Sequence, residues 1–391
     1  MKQTSFPVFS SPFEGDFLTL AESLACRQFA GTVDQVNQLA KRLNVTEVPV
    51  NMEAVTPEAL GARSWRPETG FVQMALKAKK DEAEEWSWIA GQMALAAFVC
   101  GAAPSLDVEM VAHHPTTVAG HSFEAGNLIL KGEGDKLLLR SGDGQDHTFT
   151  LYNGDENPPV WLLEPEQDLI PLGSAGRCVR ADGQWVEHWN ADAPKDVYNG
   201  SFESFRRQII DAADVLERCA PVYYVWVATL LRELVPLRGD TLGGGTSSRS
   251  FLFCPGQIHF STPATLLQTV NMMVHECSHQ FFHMLQWSMA MVKEGAPEVF
   301  SVLKNTSRPL DKVLLGFHAF ANMRLALGFL RANPEGLELK ELADHERDVS
   351  SIVGSLDSSL QPFVDDYLEP AGKALYAPLR AKLVGAELLA A

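Results

Sequence analysis

The stretch from Ser261 to Lys293, STPATLLQTVNMMVHECSHQFFHMLQWSMAMVK, constrains this chain more than any other. Leu266, Leu267, Val270, Val274, Phe281, Met284 and Leu285 recur at steps of three and four, the pattern of a long, largely buried helix. Ser261 or Thr262 is placed to cap it. Pro263 suits a first helical position, where its missing N–H needs no partner. Mid-helix lie His275, Glu276 and His279, the pattern H-E-x-x-H. At about 100° per residue the two imidazoles sit about 40° apart on one face and ~6 Å apart along the axis, near enough to grip one ion. Glu276 flanks that face, whereas Cys277, roughly 200° round from His275, points away and reads as packing. A lone histidine on an apolar helix is usually a hydrogen-bonded core residue. Two at this spacing beside a glutamate, on a face where unpaired polar groups are costly to bury, read as a metal site.

At 391 residues the chain exceeds one ordinary core, so two or three domains are expected. A net charge of −17 argues against general binding to nucleic acid or to an anionic membrane. Six cysteines without a C-x-x-C pair fit reduced thiols in a cytoplasm better than a disulfide framework. The opening MKQTSFPVFSSPFEGDF has no basic segment followed by an apolar run, so no signal peptide is expected. The most apolar run, Trp88 to Ala103, is too short for a membrane span and reads as a buried helix.

The predicted fold class is α+β and predominantly helical, with a small β-rich domain or insert. Residues 1–110 form an N-terminal helical region, with Leu18 to Leu43 and Glu82 to Cys100 as its clearest helices. His113, His114 and His121 cluster in AHHPTTVAGH, but Pro115 and Gly120 make that a turn rather than a ligand set. Residues 111–198 are β-rich: short apolar runs are punctuated by G-D, D-G and N-G turns, and Trp161 to Leu163, Leu169 to Leu172 and Gln184 to His188 continue the theme. Residues 199–391 form the helical, metal-binding catalytic region. Within it RGDTLGGGTSSRS is a loop near the site rather than a phosphate loop, since no G-K-S/T follows. Glu294 to Asn305 reads as a turn and short helix. A helix from Ser307 puts Arg308, Asp311, Leu315, His318 and Asn322 on one face. The segment beyond Pro334 reads as packing or as an oligomer surface such as a homodimer uses.

A third donor must come from elsewhere. His283 continues the four-residue series but lies ~12 Å along the axis from His275, too far to join one ion with both others, and reads as supporting or core. A glutamate from a second helix about 20 residues on would complete a zinc peptidase site. Glu298 falls there, with Glu294 as the weaker candidate. Alternatively His318, buried in LLGFHAF, supplies a third imidazole. Arg308 on the same helix face then suits bidentate capture of a carboxylate, the pairing that a 2-oxoglutarate-dependent iron site needs.

The run SSRSFLFCPGQIHFST, the helix with MVHECSH and the segment SRPLDKVLLGFHAF together resemble the HExxH-motif family of peptide-modification proteins. The likeness covers about Val222 to Leu330. One branch of that family is similar to 2-oxoglutarate- and Fe(II)-dependent peptide β-hydroxylases of ribosomal peptide (RiPP) natural-product biosynthesis. Where the family carries a histidine before the glycine of the R-P-L helix, this chain has Leu315 before Gly316, and His318, one turn on, stands in for it. The resemblance implies a cytoplasmic oxidoreductase, a dioxygenase acting on a precursor peptide. Fe(II) is then held by His275, His279 and His318, and 2-oxoglutarate is held on Arg308. Glu276 has a catalytic role, orienting a ligand or substrate. The alternative is a zinc metallopeptidase using His275, His279 and Glu298, with Glu276 as general base. A third reading is a catalytically silent peptide-binding protein that keeps the helix as core.

Overall fold

A computed structural model describes residues 7–45, 60–78, 82–152, 159–164, 168–174, 176–183, 198, 200–238 and 247–389 of the chain. Over these residues it is a mixed α/β structure, 55% helix and 22% strand, consistent with an α+β class. Helix α1 (Phe17–Arg42) starts where the Asp16 carboxylate accepts the Thr19 N–H at 3.0 Å and ends on Lys41 and Arg42. Helix α2 (Pro67–Ala78) opens on a proline, and α3 (Glu82–Val99) follows. Strands then dominate: β1 (Ser105–Ala112), β2 (Thr116–Val118), β3 (His121–Phe123), β4 (Gly126–Glu133), β5 (Lys136–Arg140), β6 (Asp146–Tyr152), β7 (Val160–Leu163), β8 (Leu169–Leu172) and β9 (Gly176–Arg180). Next come α4 (Phe202–Cys219), α5 (Pro221–Leu230), β10 (Glu233–Arg238), β11 (Ser248–Ser250) and β12 (Gln257–Thr262). The chain finishes with α6 (Leu266–Ser288), β13 (Glu298–Ser301), β14 (Thr306–Pro309), α7 (Leu310–Ala332), α8 (Leu339–Leu360), α9 (Val364–Tyr367) and α10 (Pro370–Gly385).

These elements form two compact units, neither continuous in sequence. One comprises Ala25–Ile210 and Leu230–Pro263. The other comprises the chain up to Leu24, Asp211–Thr229 and everything from Ala264. This differs from a serial division into 1–110, 111–198 and 199–391, and the reason lies in strand pairing. Val179 of β9 pairs in parallel with Glu233 of β10, and β10 pairs in parallel with β12 along its length. The β-rich stretch therefore recruits strands from beyond residue 230 and is not a self-contained insert.

The strand-rich unit holds two five-stranded sheets. One is an antiparallel meander in the order β1-β4-β5-β6-β7. Its alternating buried and exposed positions put Leu130, Leu137, Leu139 and Phe149 inward against α3. Gly132 is glycine because a Cβ there would meet the Phe98 ring of α3 at 2.5 Å. The other sheet, β11-β12-β10-β9-β8, is mixed, and β10 and β12 are buried on both faces. None of the six cysteines is in a disulfide, and all are buried.

The second unit is built on α6. Phe281 stacks on Trp226 of α5 with ring centroids 3.7 Å apart, and Phe9 and Phe17 close around the same ring at 5.0 and 5.8 Å. Helix α7 lies against α6 and α8 against α7, the latter pair joined by Arg324 and Glu346 at 3.2 Å. Helix α7 is long and apolar enough to cross a membrane, yet 67% of its most apolar window is buried inside the fold, as in a core helix. Glu294 to Asn305 is not a short helix: β13 and β14 form a hairpin, with Asn305 at φ +49° in its turn.

Candidate metal centre

The helix that carries H-E-x-x-H begins later than its sequence suggests. Ser261 and Thr262 end β12 opposite Leu237 and Arg238, so neither caps the helix. The cap is Thr265, whose hydroxyl accepts the Gln268 N–H at 3.2 Å while the Gln268 side chain accepts the Thr265 N–H at 2.9 Å. This reciprocal pair satisfies two end groups at once and outcompetes a start at Pro263. From Leu266 to Ser288 the apolar residues predicted to be inward are buried, apart from a half-exposed Leu266, and Cys277 packs against the Val227 carbonyl at 3.8 Å.

His275, Glu276 and His279 come together as expected. One potential ligand atom from each lies within 4.8 Å of the others. The two imidazoles have centroids 4.5 Å apart and stand nearly perpendicular, at 82°. Glu276 is buried at 2% exposure, with Oε1 3.9 Å from His275 Nε2. Both histidines are half-buried, so the group is reachable from outside. Phe320 of α7 lies against His275 at 4.7 Å, and the Met323 sulfur, also on α7, lies 3.1 Å from His275 Nδ1.

The structure does not bring the other expected ligands into this group. His318 is buried on α7, but its Nε2 lies 2.7 Å from the Phe9 carbonyl, to which it donates. Asn322, one turn on, donates to the Ser10 carbonyl at 2.9 Å and accepts from the Tyr223 hydroxyl at 3.0 Å. His318 and Asn322 thus share a face, and that face clamps the N-terminal segment. Arg308 is not on the helix at all: it sits on β14, opposite Val299 of β13, because the hairpin claims Thr306–Pro309 before α7 begins. Glu298, the peptidase-type donor, is exposed on β13 opposite Pro309 and not on a second helix. Glu294 is exposed in the preceding turn. His283 pairs with Gln286 at 3.1 Å, its ring 6.2 Å from His279. In the other unit His114 lies 2.9 Å from Glu85 and His121 3.4 Å from Asp168. Most of the glycine-rich RGDTLGGGTSSRS loop and the segment Gln184 to His188 lie outside the described residues.

Burial keeps the two imidazoles neutral. It lowers His275 to about 4, with His318 adding to the shift, and it holds His279 well below the ordinary imidazole range, reinforced by His275, His283, His318 and Lys312. Burial likewise takes His283 and His318 to about 4. Neutral imidazoles have free lone pairs, and metal ligation requires them. His279 Nδ1 is buried and has no hydrogen-bond partner, a cost that an ion or a water removes. Two imidazoles and a carboxylate at these separations fit Fe(II) or Zn(II).

Sequence periodicity missed one face of α7. Lys312, Gly316, Phe320 and Met323 follow steps of four, four and three, so they share a face as plainly as His318 and Asn322 do. Phe320 and Met323 touch His275, and the Lys312 charge acts on His279 and His283. The signal was present in the spacing, but nothing in the sequence says which face of α7 meets α6. No protein-family model matches this chain, and no curated protein matches it either.

Proposed function

We propose that this chain is a cytoplasmic, non-haem Fe(II)- and 2-oxoglutarate-dependent oxygenase that hydroxylates a side chain, at its β carbon, of a ribosomally made peptide. The observation that carries this reading is the donor set itself: two histidines and one glutamate gathered on one helix face, the histidines half-buried. That set is the 2-His-1-carboxylate type used by oxygen-activating iron enzymes. Glu276 would take the third place, since it groups with His275 and His279, whereas His318 gives its Nε2 to the Phe9 carbonyl and leaves a buried Nδ1 without a hydrogen-bond partner. The sequence likeness to peptide β-hydroxylases supports the choice of cosubstrate and substrate.

In the overall reaction one oxygen atom of O2 enters the peptide C–H bond. The other enters 2-oxoglutarate, which leaves as succinate and CO2. Iron, when bound, supplies the oxygen activation. This chain's residues do the rest. His275, His279 and Glu276 would hold the ion, and Phe320 walls one side of the site against water. Lys312 is the cation for the far carboxylate of 2-oxoglutarate: it stands on the α7 face that meets His275, half-exposed, and among the described residues its ion-pair partner is the neighbouring Asp311 at 3.6 Å. Arg308, on β14, is the comparison.

The test is turnover. Protein reconstituted anaerobically with Fe(II), then given 2-oxoglutarate, ascorbate, O2 and a cognate precursor peptide, is expected to release succinate and to add one oxygen to the peptide. His275→Ala and His279→Ala should abolish both. A protein that holds zinc tightly, makes no succinate and cleaves the peptide would replace this reading with a metallopeptidase. That second reading draws on the buried Glu276 carboxylate beside His275, where a general base would stand.

A further inference from the structure

The two histidines of the centre are not held alike. His279 Nδ1 has no partner, whereas His275 Nδ1 lies 3.1 Å from the sulfur of Met323. The other ring nitrogen of His275, Nε2, is on the side of the Glu276 carboxylate, 3.9 Å from Oε1. A thioether carries no proton, so this contact is a hydrogen bond only when the proton is on Nδ1. A proton there leaves the lone pair on Nε2. Met323 is 8% exposed, which leaves little water to compete for the ring, and Phe320 lies across the ring at 74°.

We propose that Met323 is a positioning residue: its sulfur accepts the Nδ1–H of His275 and so fixes the tautomer and ring orientation that present Nε2 to the ion. The inference rests on the reading of His275 as a metal ligand. Metal-binding histidines ordinarily give their second N–H to a carboxylate, a carbonyl or a water. A thioether is a weaker, uncharged acceptor. His275 is therefore a less basic donor than a carboxylate-backed histidine, and a better acceptor at position 323 should tighten the site.

The test has two arms. In metal-free protein, nitrogen NMR of the histidine rings, with His275 assigned by loss of its signals in His275→Gln, is expected to show the Nδ1–H tautomer. Finding the Nε2–H tautomer overturns the proposal, whatever the variants do. In the second arm Co(II), an oxygen-stable probe, is titrated into wild type, Met323→Leu and Met323→Gln, each checked for folding by thermal melting. Met323→Leu should weaken Co(II) by roughly tenfold, the low end of the range for groups behind a ligand, and Met323→Gln, whose side-chain carbonyl is the better acceptor, should bind at least as tightly as wild type. Equal affinity in wild type and Met323→Leu overturns the proposal. So does a sulfur at bonding distance from Co(II) in X-ray absorption, which would make Met323 a ligand. If Met323→Leu does not fold, the wild-type tautomer decides. A wild type that binds no Co(II) yet shows the Nδ1–H tautomer sinks the metal reading and upholds the sulfur–imidazole bond.

Discussion

His275, His283 and His318 are each held near 4 by burial, while a histidine in the unfolded chain titrates near 6.5. Between those values the unfolded state binds more protons than the folded one, so stability must fall as pH drops through that window and stay level above about 7. Each such histidine costs about 2 kcal/mol between pH 7 and pH 5, and several together cost several kcal/mol. Denaturant unfolding of metal-free protein at the two pH values measures this; a flat profile would mean that the imidazoles are solvated. The same neutrality would leave His275 free to hold an ion, so the metal affinity of the folded protein should persist across this window and fall only as the pH approaches about 4. Lys312 is a separate matter, since its ammonium is half-exposed and its role is electrostatic. Lys312→Met should raise the KM for 2-oxoglutarate by roughly 10- to 100-fold, the cost of a charge-assisted hydrogen bond, with Lys312→Arg retaining much of the binding. A larger effect from Arg308→Met would return the anchor to the hairpin.

At the scale of elements, α6 was legible because its apolar spacing and the H-E-x-x-H pattern are both local. Its start was misplaced for an equally local reason: Pro263 advertises a first turn, but the Thr265–Gln268 box is the stronger signal. The α7 segment was legible as a helix and illegible as to facing. Its His318 looked like a ligand because a buried, unpaired imidazole is expensive, yet its Nε2 is paired with a backbone carbonyl 309 residues away, which no periodicity can reveal, and only Nδ1 is left without a hydrogen-bond partner. Arg308 was assigned to a helix because R-P-L resembles a helix start, while the hairpin that takes it depends on pairing with β13. This yields a discriminating experiment. His318→Leu leaves the Phe9 carbonyl unpaired and should cost about 1–3 kcal/mol, while the metal content of the folded variant stays as in wild type. Loss of metal from a folded His318→Leu protein would make His318 a ligand and remove Glu276 from that place.

At the scale of the molecule, the candidate centre lies entirely in the unit that contains α6 and α7, and the two large sheets lie in the other. A ligand that binds only the folded state stabilises it by about 2.7 kcal/mol at a free concentration one hundred times its Kd. That stabilisation need not be shared evenly, because structures open locally with different free energies. Metal bound at His275, Glu276 and His279 would tie three residues of one helix to one ion and would reach α7 through Phe320 and Met323, which touch His275. Hydrogen exchange is therefore expected to slow on adding metal in Leu266–Ser288 and, to a lesser degree, in Leu310–Ala332, while Ser105–Ala112 and Gly126–Tyr152 exchange as before. A chelator should reverse the change, and His279→Ala should prevent it. Slowing confined to the meander would place the ion near other residues and leave the H-E-x-x-H face as core. Uniform slowing across both units would mean instead that they open as one cooperative body, with the metal's free energy spread over the whole chain.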